Sequence, residues 1–169
     1  MWNDTDIPLA YLISFRCYGT WLPGDRRGSI DRFHNRYQTP YRAPNPSLNA
    51  HSAANLKSPP VYLDAERRKI VEEAIRELCD AKNWLLHAIN VRTNHVHKVV
   101  SIGEDRSSRA LNALKARATR RLRENNRWNY DHSPWAEKGS RRRLWNERSI
   151  ATAIEYVLNG QGAELPVFD

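Results

Sequence analysis

The chain has 169 residues, 40% of them hydrophobic, enough for one modest core, so a single domain over 1–169 is expected. Its 27 Lys and Arg against 19 Asp and Glu give a formal charge of +8, mostly from arginine, whose planar fork suits phosphate and favours a polyanionic partner. Cys17 and Cys79 lie too far apart for a CxxC pair, which argues against a disulfide framework or cysteine zinc site, and the acidic start (MWNDTDIPLAYLISFRCYG) argues against a signal peptide or membrane span, so a cytoplasmic protein without a membrane partner is expected.

In chain order, Ala10 to Tyr18 (AYLISFRCY) is rich in aromatic and branched residues and predicts a first strand closed by Gly19. From about 24 to 60, Pro40, Pro44, Pro46, Pro59 and Pro60 stand among Ser, Asn, Arg and Tyr with little periodicity, which predicts a long loop. Asp64 caps a helix to about Lys82, with Ile70, Val71, Ala74, Ile75 and Leu78 on its apolar stripe. Trp84 to Val91 and Val96 to Ile102 predict two antiparallel strands joined by Arg92, Thr93 and Asn94. A second helix runs from Ser107 or Ser108 to about Asn125, with Leu111, Leu114, Ala118 and Leu122 inward and a basic outer face. Arg141 to Trp145 predicts a last strand, and Glu147 to Leu158 a last helix, ended by Gly160 and Gly162. The order β, α, β, β, α, β, α describes an α+β fold: a ferredoxin-like, split βαβ antiparallel sheet with helices on one face.

The most informative string is TNHVHKVV, residues 93 to 100. Side chains alternate along a strand, so His95 and His97 point the same way while Val96 turns to the other face, and two imidazoles so placed suit one cation. Two imidazoles leave the ion open to other ligands, as a catalytic metal needs. The segment IATAIEYVLNGQG (150 to 162) adds a phenol, Tyr156, at the edge of an amphipathic helix, and two amides, Asn159 and Gln161, each able to offer a carbonyl oxygen to a hard cation. His87 alternates with apolar neighbours and is expected to be packed, whereas His34, His51 and His132 fall in loops outside the site.

A strand bearing NHVH and an apolar run, then a basic helix, then a final helix with a tyrosine followed by an amide, resembles the HUH single-tyrosine transposases of bacterial insertion sequences and their repeat-associated relatives. The resemblance runs from the first strand to about Gly162 and includes YGTWLPGDRRGS at 18 to 29. It implies that His95 and His97 are metal ligands, that Tyr156 is the nucleophile and that Gln161 is the third ligand, with Asn159 as the alternative. The family pattern places the amide at i+4 from the tyrosine, where this chain has Gly160; Gln161 reaches the metal if the helix unwinds at that glycine, and Asn159 serves if it does not.

The same resemblance implies Mg2+ or Mn2+, with other divalent ions acceptable to this donor set, a single-stranded or hairpin DNA partner, and a homodimer. It implies cleavage and rejoining of DNA through a 5′-phosphotyrosine, the phenol losing its proton during attack. Arg106, Lys115, Arg117, Arg120, Arg121 and Arg123 on the basic helix and the run Arg141, Arg142 and Arg143 are candidates for phosphate contact. Trp21, Tyr37, Tyr41, Trp128 and Trp135 are candidates to stack on unpaired bases. Three rival readings fit parts of the pattern: a domesticated, non-cleaving binder of structured single strands, an RNA-directed hydrolase using two histidines as acid and base, and a structural zinc domain.

Overall fold

The protein is described from a computed structural model, which covers residues 6–20, 22 and 43–166. Four strands, β1 (Ala10–Arg16), β2 (Leu85–Val91), β3 (His95–Ser101) and β4 (Ser140–Leu144), form one antiparallel sheet in the order β2-β3-β1-β4. With the helices α2 (Ala65–Lys82) after β1 and α3 (Ser107–Glu124) after β3, this is the ferredoxin-like plan expected from the sequence. A fourth helix, α4 (Glu147–Asn159), follows β4.

Local chemistry sets the helix ends. Asp64 accepts a hydrogen bond from the amide of Arg67 at 2.9 Å, and Asn83, at φ 56° in the left-handed region, stops α2. Asn146 caps α4 through the amide of Ser149 at 2.8 Å. One helix, α1 (Pro46–Ala54), lies in the stretch read as a loop. It buries no residue and so has no apolar periodicity; only the Asn45 cap on Leu48 and the proline at its first turn mark it. Most of the rest of that stretch, with His34, Trp21, Tyr37 and Tyr41, lies outside the described residues.

The helices do not share one face, as the sequence suggested. Tyr11, Ile13, Phe15, Val96 and Val100 meet α2 and α3 in the larger core, whereas Ala10, Leu12, Ala88, Val99 and Leu144 meet Ala153 and Val157 of α4 in a smaller core on the opposite face. Leu144, the last residue of β4, pairs with Ala10 and shares the side of Ala10 and Leu12, where Ala153 and Val157 of the following helix cover it. The consequence for function is direct, since His95 and His97 alternate with Val96 and therefore share the α4 face.

Trp128 and Trp135 are 4% exposed and belong to the larger core, so they are not surfaces for base stacking. Trp135 meets Phe15 edge-on at 4.9 Å and bonds the carbonyl of Lys115 and the hydroxyl of Thr119, and Trp128 donates to the carbonyl of His132. No helix among the described residues is long and apolar enough to cross a membrane.

Candidate active site

Register builds the site. Asn90 on β2 stands opposite His97 on β3, His97 opposite Ser14 on β1, and Ser14 opposite Ser140 on β4, so one polar row crosses all four strands on the α4 face. His95 lies two residues back from His97, opposite Arg16. Asn90 donates to the carbonyl of Val157 at 2.9 Å, occupying an end-of-helix acceptor and fixing the last turn of α4 over the row.

That docking brings Tyr156 to the histidines. The His95 and His97 ring centroids are 4.7 Å apart, and those of His97 and Tyr156 are 5.5 Å apart, both pairs edge to face. His97 is 8% exposed, and burial, with His95 and Lys98 adding, pushes its pKa down to about 3, so it is neutral at physiological pH. Tyr156 is 44% exposed and open to a large substrate.

The helix ends at Asn159, and Gly160 turns the chain back. A Cβ on Gly160 would stand 2.7 Å from the carbonyl oxygen of Tyr156 and 3.2 Å from its ring, so the close approach needs glycine. Beyond the turn, the amide nitrogen of Gln161 donates to the carbonyl of Tyr156 at 3.0 Å, and its oxygen lies 3.3 Å from Nε2 of His95. Asn159 instead donates to Glu155 at 2.9 Å on the exposed side. Of the two amides, Gln161 is thus the one brought to the histidines. Arg92 holds the following chain through the carbonyl of Ala163 at 2.8 Å.

The hydrogen bonds fix which atoms face each other. Asn94 accepts from Nδ1–H of His95 at 2.6 Å, which leaves the neutral ring's lone pair on Nε2. Because Gln161 spends its NH2 on Tyr156, its oxygen faces that lone pair. At 3.3 Å the two atoms are within hydrogen-bond reach, and Nε2 donates to the amide oxygen whenever it carries the ring proton. Among the described residues no group of three or more His, Cys, Asp or Glu side chains is placed to hold a metal ion.

The basic residues divide between the two faces. Arg142 shares the face of Leu12 and the histidines, whereas Arg141 donates to Ser107 of α3 at 3.0 Å, and Arg143 is paired with Tyr11, also on that other side. The α3 cations lie beyond the larger core, away from Tyr156, and several have structural partners. Lys115 donates to the carbonyls of Ala136 (2.9 Å) and Lys138. Arg117 and Arg121 meet Glu77 of α2, Arg120 and Arg121 pair with Glu124, and Arg123 reaches the carbonyl of Asp131 at 3.5 Å. Arg106 is the N-cap of α3. On the site's face the sequence reading missed Arg16, whose Nε is buried without a hydrogen-bond partner among the described residues. His87, expected to be packed, is half-buried and bonds Ser101 at 2.8 Å; His51 lies in α1, and His132 lies in a loop.

An α+β sheet carrying paired histidines under a tyrosine-bearing helix is the frame on which the comparisons bear. The family model described as "Transposase IS200 like" matches residues 46–157, about two thirds of the chain. The chain belongs to the IS200-like transposase family, with a role in transposition and DNA as its partner. No curated protein matches it. Among solved structures it is similar to a candidate transposase from Deinococcus radiodurans R1, at 13% identity and a TM-score of 0.49, over 95% of this chain and 97% of that one.

Proposed function

We propose that this transposase is a metal-dependent single-tyrosine enzyme that cuts and rejoins single-stranded or hairpin DNA, with Tyr156 as nucleophile and His95, His97 and Gln161 holding a divalent ion. The observation that carries the reading is the convergence of the His95 ring, the Gln161 carbonyl and the His97 and Tyr156 rings, a set of nitrogen and oxygen donors that suits a cation.

The donor set fits Mg2+ or Mn2+ through the amide oxygen and accepts softer divalent ions through the imidazoles. Held there by His95, His97 and Gln161, a divalent ion would supply Lewis-acid polarisation of a phosphoryl oxygen and support for charge on a leaving oxygen. Tyr156 supplies the attacking oxygen: its Oη forms a bond to phosphorus, the phenolic proton passes to a nearby water, and the phosphorus to O3′ bond breaks. The products are a 5′-phosphotyrosine and a free 3′ hydroxyl. Exchange of one phosphodiester for another is near energy-neutral, so the same residues serve rejoining. The tyrosine's exposure leaves room for an unpaired strand, and Arg142 and Arg16 offer positive charge on that face. Arg106, Lys115, Arg117, Arg120, Arg121, Arg123, Arg141 and Arg143 would serve a longer or folded strand passing round to the α3 side. A homodimer and a single domain over 1–169 complete the reading.

The test is incubation of the wild type and Tyr156→Phe with labelled single-stranded DNA from the flanks of its own gene, with Mn2+ or with chelator, followed by a denaturing gel. A protein-linked band that needs both Mn2+ and Tyr156 is expected. Tight binding with no adduct would replace this reading with that of a non-cleaving binder, and fragments released by Tyr156→Phe would mean that another nucleophile acts.

A further inference from the structure

His97 has a partner on its far side that neither the histidine motif nor the matched family segment contains. The hydroxyl of Ser14 on β1 lies 2.5 Å from Nδ1 of His97, across a pairing of residues 83 apart in sequence. Ser14 also lies outside residues 46–157. Resting on the metal reading above, we propose that Ser14 is a positioning residue: its hydroxyl accepts Nδ1–H of His97 and so holds the Nε2 lone pair available to a divalent cation.

The argument is one of proton placement. A neutral imidazole has one N–H and one lone pair, and the hydrogen bond at one nitrogen decides which role the other plays. His95 has Asn94 as its partner, whose carbonyl oxygen accepts and nothing more. The Ser14 hydroxyl plays the same part for His97 when it accepts Nδ1–H, since that bond keeps the ring proton away from Nε2. The buried position of His97 in the central strand pair leaves little room for the ring to turn, so orientation rests on this bond and on the edge contacts with His95 and Tyr156.

The experiment compares Mn2+ binding by calorimetry in the wild type, Ser14→Ala, Ser14→Thr and His95→Ala, together with the 15N shifts of His97 in the metal-free and Zn2+-loaded protein. Loss of an outer partner of a metal ligand is expected to weaken Mn2+ binding by about 10- to 100-fold in Ser14→Ala. Ser14→Thr keeps the hydroxyl and should recover most of it, with the metal-loaded His97 carrying its proton on Nδ1. Wild-type affinity in Ser14→Ala, or a loaded His97 protonated on Nε2, overturns the role of Ser14 and leaves the metal site standing. If the wild type takes up no more Mn2+ than His95→Ala, the metal reading itself falls, and the role of Ser14 with it.

Discussion

The ring of Tyr156 stands edge to face with that of His97, 5.5 Å between centroids, although the two residues come from separate elements on the same face of the sheet. The contact depends on α4 ending where it does. The carbonyl of Tyr156 takes two hydrogen bonds, from the amide of Gly160 and from the side chain of Gln161, so the tyrosine's own backbone anchors the turn that delivers the amide.

Gly160→Ala tests that turn. Its Cβ would come within 2.7 Å of the Tyr156 carbonyl, a separation that forces the backbone to shift. The expected outcome is a folded protein whose Mn2+ affinity and adduct formation both fall by at least about tenfold, since small displacements of catalytic groups carry costs of that order. Circular dichroism would monitor folding and calorimetry the metal; unchanged Mn2+ binding would count against the role of the turn.

The two amides separate cleanly by substitution. Gln161→Ala should weaken Mn2+ binding by at least about tenfold, whereas Asn159→Ala, which loses a surface bond to Glu155, should leave it within about twofold. The reverse order would assign the third ligand to Asn159.

His97 makes the metal-free protein sensitive to acid. Its folded-state pKa of about 3 lies below the ordinary value near 6.5, so as pH falls the unfolded chain takes up the proton first. The stability is present above about pH 6.5 and is lost as pH falls toward 3, at up to about 1.4 kcal/mol per unit from this group. Urea unfolding in chelator between pH 7.5 and 4.5 should show a shallower decline for His97→Gln than for the wild type, and equal slopes would refute the assignment.

On the opposite face of β3, Lys98 is fully buried, donating to the carbonyl of Ile13 at 3.3 Å and lying 4.0 Å from the Phe15 ring centroid. Burial pushes its pKa well below the ordinary lysine value, so its charged form costs stability increasingly as pH falls from about 10. Lys98→Met fills a similar volume without charge and should stabilise the protein by about 1 kcal/mol or more, with a larger gain at pH 7 than at pH 9.5. Denaturant midpoints at the two pH values would decide it.

Much of this was legible in periodicity. The strand alternation around Val96 put both histidines on one face, and the stripe of Ile70, Val71, Ala74, Ile75 and Leu78 marked α2 to within a residue or two. What could not be read depended on pairings between distant residues. Ser14 becomes visible only through its register with His97, and Trp135, a candidate for base stacking, packs edge-on against Phe15 instead. Arg117 and Arg121 meet Glu77, an acid on another helix that spacing along α3 does not reveal. Gly160 left two amides in contention, since spacing alone does not say where a helix stops.

The smaller of the two cores has a consequence for how the site is put together. α4 contributes only Ala153 and Val157 as buried residues, whereas α2 and α3 are anchored by many more. Of the three helices packed on the sheet it is therefore the least costly to lift by local opening. Both histidines would stay behind on a strand paired on either side, while Tyr156 and Gln161 would depart together as one detachable cassette. Phenol and amide cannot be separated by such a motion, so a chain caught with its phenol swung away would also have withdrawn the proposed third ligand.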